Sequence, residues 1–448
     1  MIASTATVGS SIFYEATGKR LAEPMSAHRT VYDRNRHAAV RTSEFLFNQL
    51  IPYIGNKRKL LKLIQQAIQR TGAQQGVFAD FFAGSGVVSR LAKLLGYRVF
   101  SNDWEPYAQA INQCYIACGQ PPALSSLGGY ENAIGRLNNL PAKIGWVTEH
   151  LCPPDDTRYN VETDRMFYMR KNGMRIDAIR EEIAAWKDDG KIGDADEACL
   201  LAPLVYQACY RSNTSGVFKG FHNGWGGQTA TALYRIATDL RLDVPVFWDS
   251  GQDNLVFRDD AQTLAERLAA QEIAVAYLDP PYNQHPYGSN YHVLNSVVLW
   301  DKPTLSKQIT PGTKAAIRLD WRTQRRSAYN HKVEAASAYR LLLATINARY
   351  ILTSYSTDGM IPLDDLLRSN VQRGHVSLVM QGYKRYRVSS QRSSKKPMNV
   401  EFVVVTDTHG KNDVSVDELR AMIERHESTV LSAHPECREP DARHEHSL

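Results

Sequence analysis

The sequence GVFADFFAGSG, residues 76–86, decides the fold class, because a short apolar run ends in a loop with two closely spaced glycines. The apolar run is typical of a buried strand. Residues 87–96 follow with helical spacing and stop at a glycine. A second apolar run covers residues 97–103. Strand, loop, helix and strand in this order predict a βαβ unit, and therefore a parallel sheet.

Apolar runs further along the chain extend this sheet. The spacing of apolar residues predicts a helix from residue 60 onward, and further strands over 244–248, 273–278, 350–355 and 400–405. The predicted fold class is α/β, with a doubly wound, Rossmann-like sheet that carries an inserted, mainly helical module.

Composition divides the 448 residues into segments. Residues 1–45 are polar and predict a loosely ordered N-terminal arm. Residues 46–124 and 241–408 hold the sheet-forming runs. Between them, residues 125–240 have charged helical stretches and then a stretch rich in glycine, asparagine and aromatic residues, which indicates an inserted module. Residues 409–448 predict a helix and a flexible tail.

The bulk composition excludes several classes of protein. Hydrophobic residues make up 43% and charged residues 22%, a balance typical of soluble proteins. The apolar runs are too short to span a bilayer, and the N-terminus lacks the pattern of a signal peptide, so we expect a cytoplasmic protein. Of the six cysteines, Cys114 and Cys118 lie one helical turn apart, but no second pair matches them. We therefore expect structural thiols and no metal site.

The net charge of +6 is mild, but its distribution is uneven. Residues 371–399 contain seven lysines and arginines and no acidic residue, with Tyr383 and Tyr386 among them. Such a segment is a candidate for contacts with nucleic-acid phosphates. A solvated basic hairpin is the alternative interpretation.

The glycine loop lies where doubly wound folds bind ligands, at the carboxyl end of a strand. Glycines let the backbone approach a ligand closely. The spacing matches neither the three-glycine dinucleotide pattern nor a phosphate loop. Asp103 ends the next strand and could accept hydrogen bonds from ribose hydroxyls, or it could cap the following helix.

A second loop, Asp279-Pro280-Pro281-Tyr282, directly follows the predicted strand over 273–278. The two prolines stiffen it and remove two backbone donors. A carboxylate and a neighbouring carbonyl can accept both hydrogens of an amine on an aromatic ring, which turns the nitrogen lone pair out of the ring. Tyr282 offers a surface on which the ring can stack. The alternative is a rigid turn after a strand.

Three segments in this order resemble the Dam-like, α-group adenine-N6 DNA methyltransferases. They are residues 52–57 (PYIGNK), 80–86 (DFFAGSG) and 279–282 (DPPY). Residues 351–359 and 383–387 also resemble late segments of that family, so the resemblance covers about 45–408. Gly-Asn-Lys stands where Gly-Gly-Lys is common, and the arm before it is long.

The resemblance implies a methyltransferase sheet that binds S-adenosyl-L-methionine and methylates the N6 amino group of an adenine flipped out of double-stranded DNA. The implied catalytic residues are Asp279, Pro280, Pro281 and Tyr282. Asp279 would serve both the methionine end of the cofactor and the target amine. The implied cofactor-binding residues are Tyr53, Lys57, Phe82, Gly84, Gly86, Asp103, Asp253 and Asp279.

The resemblance also makes residues 125–240 a target-recognition module and double-stranded DNA the partner, with a cognate restriction endonuclease as a further candidate partner. Base-edge contacts are predicted for Asn213, Lys219, His222 and Asn223. Phosphate contacts are predicted for Lys384, Arg385, Arg387, Arg392, Lys395 and Lys396. The chemistry requires no metal.

Other functions stay open at this point. An RNA adenine methyltransferase would use the same amine chemistry. A protein-glutamine methyltransferase needs a similar acceptor loop, but its usual Asn-Pro-Pro-Tyr form and motif order fit this chain poorly. A catalytically silent DNA-binding module would keep the fold without needing Asp279.

Overall fold

The structure is a computed structural model, and it describes residues 40–384 and 398–433. Nearly all of the predicted arm, the stretch 385–397 and the predicted tail after residue 433 lie outside the described residues.

Seven strands form one sheet in the order β3-β2-β1-β4-β5-β7-β6. The strands are β1 (Val77–Asp80), β2 (Arg98–Asn102), β3 (Leu255–Phe257), β4 (Ile273–Leu278), β5 (Ala348–Ser356), β6 (His375–Lys384) and β7 (Met398–Asp407). β1 to β5 are parallel, whereas β7 runs antiparallel to both β5 and β6. The sheet is therefore mixed, consistent with a Rossmann-like methyltransferase fold. The prediction of a parallel sheet is right for the pairings among β1 to β5 and wrong for the two pairings of β7, which runs against the other strands.

Helices cover both faces of the sheet and form the segment between β2 and β3. They are α1 (Leu61–Thr71), α2 (Val87–Leu94), α3 (Pro106–Asn112), α4 (Tyr130–Asn138), α5 (Trp146–Leu151), α6 (Arg170–Asp188), α7 (Asp194–Tyr210), α8 (Leu233–Ala237), α9 (Ala261–Arg267), α10 (Tyr287–Asn290), α11 (His292–Leu299), α12 (Ala335–Thr345), α13 (Leu363–Val371) and α14 (Val416–Ala433). A further helical segment covers residues 40–47, and a 3-10 helix over Lys57–Leu60 precedes α1.

The predicted strand over 244–248 is wrong. This stretch has no strand structure, and its apolar residues pack on other aromatic rings instead. Phe247 meets Tyr130 of α4 edge-on at 5.7 Å, and Trp248 lies 5.9 Å from Phe45. The third strand of the sheet is β3, a few residues later. An apolar run shows only that side chains are buried, and here they are buried outside the sheet.

Alternating residues of the strands point to opposite faces of the sheet, and the residues on each face pack into a separate hydrophobic cluster. Phe78 and Val99 point into the larger cluster, which also contains the apolar residues of α1, α4, α6 and α7. Val77 and Phe100 point into the other cluster, with α9, α12, α13 and α14. The helical insert therefore packs on one face of the sheet rather than on a core of its own.

Four cysteines of the described residues are buried and Cys118 is half-buried, all as free thiols. In the described part of the chain, none of the helices is both long and apolar enough to cross a membrane.

Candidate active site

A cleft of about 920 Å³, open to solvent at its mouth, lies at the carboxyl edge of the parallel strands. The loops after β1, β2, β3 and β4 all contribute to it, because parallel strands end at the same edge. The segment 325–330 and the loop around Tyr53 close two further sides.

The glycine loop forms one wall of this cleft. Gly84 has φ +51° and Gly86 has φ +76°, conformations that favour glycine. A Cβ on Gly84 would lie 2.9 Å from the Tyr53 ring, and one on Gly86 would collide with the Asn112 side chain. The loop therefore needs glycine at both positions. Gly84 lines the cleft, whereas Gly86 lies next to the lining residues without being one of them.

Asp80, the first residue of this motif, is fully buried at the end of β1. Its carboxyl accepts a hydrogen bond of 2.7 Å from the Ser89 hydroxyl in α2, and burial raises its pKa to about 7. The contact fixes α2 against the strand end, and so holds the glycine loop between them.

Asp103 faces the cleft after β2. One carboxylate oxygen accepts from the Gly84 amide at 2.8 Å, and the other accepts from the Glu105 amide at 2.9 Å, just before α3. Asp103 lines the cleft, whereas the N-cap residue of α3 is Glu105 and its helix has no side-chain cap, so the capping alternative is wrong. Burial raises its pKa to about 6.

The loop after β4 brings Asp279 next to Lys57. The Lys57 ammonium lies 3.0 Å from Asp279 Oδ1 and donates a 2.7 Å hydrogen bond to the Tyr282 hydroxyl. Burial raises the pKa of Asp279, and the charge of Lys57 opposes that rise. The structure therefore joins the first and last sequence motifs into one charged cluster.

The four residues of this loop differ in position. Asp279 and Pro281 line the cleft, and Pro280 is buried. The Tyr282 ring packs edge-on against Tyr355 at 4.8 Å, and Lys57 Nζ lies 4.4 Å from its centroid. Tyr282 therefore lies beside Asp279 rather than in the cleft lining, and stacking of a base on its ring stays a prediction.

Aromatic rings build the remaining walls. The Tyr53 ring stacks on Tyr287 at 5.1 Å and on Tyr291 at 4.9 Å, so the loop after β4 supports the N-terminal motif. Phe82 meets Tyr329 edge-on at 5.2 Å, within the segment 325–330. Tyr53, Phe82 and Lys57 all line the cleft, and their contacts with a cofactor stay a prediction.

Asp253 does not line the cleft, contrary to its predicted role. It lies before β3, is 79% exposed and forms a 2.9 Å ion pair with Arg98, which begins β2. Ligands bind at the carboxyl ends of such strands, and Asp253 is at the amino end. Asp259 and Asp260, after β3, line the cleft instead. The role of Asp253 was implied by the resemblance, which does not fix where the third strand of this sheet begins and ends.

Asn213, predicted to contact a base edge, is fully buried and internally bonded. Its amide nitrogen donates to the carbonyls of Met166, His222 and Gly224, and its oxygen accepts from the Gly226 amide. A side chain with these bonds cannot read a base. The prediction was wrong because an asparagine in a glycine-rich loop can hold that loop together from inside.

The other predicted base contacts are accessible. The Lys219 ammonium lies 3.4 Å from the His285 ring, three residues beyond Tyr282. His222 is half-buried, and exposed Asn223 accepts a 2.8 Å hydrogen bond from Lys314. Lys384 ends β6, and its side chain is not described. Arg385, Arg387, Arg392, Lys395 and Lys396 lie outside the described residues.

Asn213→Ala is expected to lower the free energy of unfolding by about 3 kcal/mol, since it leaves buried backbone groups without partners. Urea denaturation followed by tryptophan fluorescence measures this change. Asn223→Ala, exposed in the same loop, is the matched control and should change stability by about 0.5 kcal/mol or less. An Asn213→Ala protein of full stability that loses sequence-selective DNA binding would restore the base-reading role.

Sequence reasoning missed Glu105, Arg325 and Glu401. Glu105 is 6% exposed, accepts a 2.6 Å hydrogen bond from Asn295 and lies 3.6 Å from the Arg325 guanidinium, and burial raises its pKa to about 7. The position of Glu105 two residues after Asp103 is the sequence feature that could have marked it as a residue of the site. No local pattern marked Arg325 or Glu401, because distant parts of the chain bring them to the site.

Among the described residues, no group of three or more histidine, cysteine, aspartate or glutamate side chains could hold a metal ion.

Comparison with known proteins gives a family and several relatives. A family model described as D12 class N6 adenine-specific DNA methyltransferase matches residues 53–351. That range contains the glycine loop, Asp103 and the loop after β4. Type II methyltransferase M.NlaIII of Neisseria lactamica is 28% identical over 354 residues, which are 78% of this chain and 96% of the relative.

Type II methyltransferase M.CviAII of Paramecium bursaria Chlorella virus 1 is 30% identical over 343 residues, 75% of this chain and 93% of the relative. Modification methylase StsI of Streptococcus sanguinis is 29% identical over 369 residues. That match covers 80% of this chain but 52% of StsI, so the chain spans about half the length of that relative.

Proposed function

The chain belongs to the D12 class of N6 adenine-specific DNA methyltransferases, and from that premise we propose its reaction in detail. It transfers the methyl group of S-adenosyl-L-methionine to the N6 amino group of an adenine flipped out of double-stranded DNA. The observation that carries this proposal is the contact between Lys57 and Asp279, which unites two distant motifs in the lining of the cleft.

The residues present fit the cofactor. Asp103 offers carboxylate oxygens to ribose hydroxyls, and the backbone at Gly84 forms a cradle that a Cβ would fill. Asp259 or Asp260, rather than Asp253, provides the acidic group near the adenine of the cofactor. Tyr53, Lys57, Phe82 and Gly86 shape the methionine end. When bound, S-adenosyl-L-methionine supplies an electrophilic methyl group.

The chain's own residues position the target amine. The Asp279 carboxylate and the Pro280 carbonyl accept its two hydrogens, and the Lys57 ammonium fixes the carboxylate through Oδ1. Extruding the base costs a few kcal/mol. Correct placement and the negative charge beside the nitrogen then favour the transition state, in which that nitrogen becomes positive.

The insert over 125–240 supplies target recognition in this proposal. Lys219 next to His285 brings its loop beside the catalytic loop, and Lys219, His222 and Asn223 are the candidates for base contacts. Lys384 and the basic residues of 385–397 are the candidates for phosphate contacts. Relatives named modification methylases or type II methyltransferases favour a restriction-modification system, with a cognate endonuclease as partner.

Incubation with isotopically labelled S-adenosyl-L-methionine and either duplex DNA or RNA tests the proposal. We expect label in DNA as N6-methyladenine, and single-molecule sequencing of DNA from expressing cells should show one methylated sequence motif. Label in RNA alone, or at cytosine, would contradict the proposed substrate.

A further inference from the structure

The segment after the catalytic loop holds part of the insert by its backbone. We call residues 213–226 the insert loop, and Phe218, near its centre, is fully buried. The Phe218 amide donates a 2.7 Å hydrogen bond to the carbonyl of Asn290, the last residue of α10. The Phe218 carbonyl lies 2.8 Å from Nε2 of His292, the first residue of α11. Both backbone groups of Phe218 are therefore bonded to the junction of these two helices.

His292 is the donor in its contact with Phe218. A carbonyl oxygen can only accept, so Nε2 carries the hydrogen. The His292 side chain is 2% exposed, and burial lowers its pKa to about 4, so the ring is neutral near pH 7. Phe167 packs edge-on against the His292 ring at 6.1 Å and lies 5.9 Å from the Phe218 ring. The imidazole is thus fixed by packing, and it pairs a carbonyl that is buried with its residue.

Tyr291, between Asn290 and His292, contacts the N-terminal motif. Its hydroxyl accepts a 2.8 Å hydrogen bond from the Ile54 amide, and its ring stacks on Tyr53, which lines the cleft. Three consecutive residues therefore connect the insert loop to a wall of the cleft. The position of the insert loop relative to the reacting groups depends on this short segment.

Resting on the proposed function, we infer that His292 is a positioning residue for target-sequence specificity. Lys219, a candidate base contact, directly follows Phe218, and its ammonium lies 3.4 Å from the His285 ring beyond the catalytic loop. A base contact discriminates between sequences only when the loop that bears it has one position relative to the reacting adenine. His292 is buried, so it acts through Phe218 and does not touch DNA itself.

The test compares methylation of a duplex that contains the methylated sequence motif with duplexes that differ from it at one base pair. His292→Phe keeps a ring but removes the donor and leaves a buried carbonyl unpaired. It should lower kcat/KM for the cognate duplex about tenfold, mainly through a higher KM for DNA. The preference for cognate over altered duplexes should also fall about tenfold. KM for the cofactor should stay unchanged, because His292 does not line the cleft.

Two amide variants separate the hydrogen bond from the polarity of the side chain. The side-chain nitrogen of glutamine is as many bonds from Cβ as Nε2 of histidine, so His292→Gln should restore the preference for the cognate duplex. The nitrogen of asparagine is one bond closer to Cβ, so His292→Asn should behave like His292→Phe. This pair also provides the test if His292→Phe does not fold.

Two further variants are controls. Ile346→Val shortens a side chain buried in the hydrophobic cluster on the other face of the sheet, so it should lower the melting temperature and leave sequence preference unchanged. His409→Phe replaces an exposed histidine just after β7 and should match wild type in every assay.

A His292→Phe protein with wild-type sequence preference and wild-type KM for DNA would overturn the inference. So would a loss of preference shared by His292→Gln or by Ile346→Val, because lost stability would then explain it. A wild-type protein that methylates adenine in DNA without sequence preference would overturn the inference and leave the proposed reaction intact. A wild-type protein that methylates no adenine in DNA would instead overturn the proposed function.

Discussion

Asp279→Ala is expected to lower the single-turnover rate of DNA adenine methylation by about 10³-fold or more. The change removes an acceptor for the target amine and the negative charge nearest to the developing positive nitrogen. It also leaves the buried Lys57 ammonium without the carboxylate 3.0 Å away. Cofactor binding should weaken as well, because Asp279 lines the cleft. Rapid-quench measurement at saturating enzyme separates this loss of chemistry from weaker binding.

Asp253→Ala is the matched control for that experiment. This aspartate is exposed, pairs with Arg98 outside the cleft, and should leave the rate and the cofactor affinity unchanged. If the protein were a catalytically silent DNA-binding module, wild type would not methylate DNA at all. Asp279→Ala would then leave DNA binding unchanged. Full methylation by Asp279→Ala would contradict the assigned role directly.

The parts of the site that the sequence predicted correctly are local. The glycine loop and its neighbouring strands lie within 28 consecutive residues, 76–103, and both φ angles of the loop glycines are positive. The loop after β4 begins directly at the strand end. Short-range chain geometry fixes such features, so residue types and spacing suffice to find them.

The errors arose at residues whose structure and exposure are determined by tertiary contacts rather than by local sequence. Residues 244–248 have the composition of a strand, but their aromatic side chains pack on Tyr130 and Phe45 outside the sheet. The resemblance implied a cofactor contact for Asp253, but this residue lies before β3, at the amino end of the strand. Asn213 lies in a stretch whose polar composition suggested contacts with DNA bases. Its side chain is instead buried and holds its own loop together by hydrogen bonds. Polarity alone does not distinguish a base-reading amide from a structural one.

Glu401 is the clearest case of information absent from the local sequence. The stretch around it predicts a strand, and only the antiparallel pairing of β7 with β5 turns its amino end toward the cleft. In a wholly parallel sheet, the same residue would lie at the opposite edge. The direction of β7 therefore decides whether this carboxyl lies at the edge of the sheet that bears the cleft.

Lys57→Met is expected to lower kcat about 10²-fold at pH 7, mainly through misplacement and protonation of Asp279. Methionine keeps the length and apolar body of lysine but removes its charge and its donors. Lys57 lowers the pKa of both Asp279 and Glu401, so its loss raises both. A larger fraction of each carboxyl is then neutral at pH 7, and a neutral carboxyl is a poorer acceptor for the target amine.

The direction of the pH effect follows from the higher pKa values of Asp279 and Glu401 in this variant. Because the variant's carboxyls ionise at higher pH than those of wild type, kcat of the variant should increase toward alkaline pH, and part of the lost rate should return there. KM for the cofactor should also increase, since Lys57 lines the cleft. Lys59→Met, an exposed lysine in the same 3-10 helix, is the control that should keep the wild-type profile. If Lys57→Met lowered kcat by the same factor at every pH, Lys57 would contribute contacts alone and would not set the ionisation of its two carboxyl neighbours.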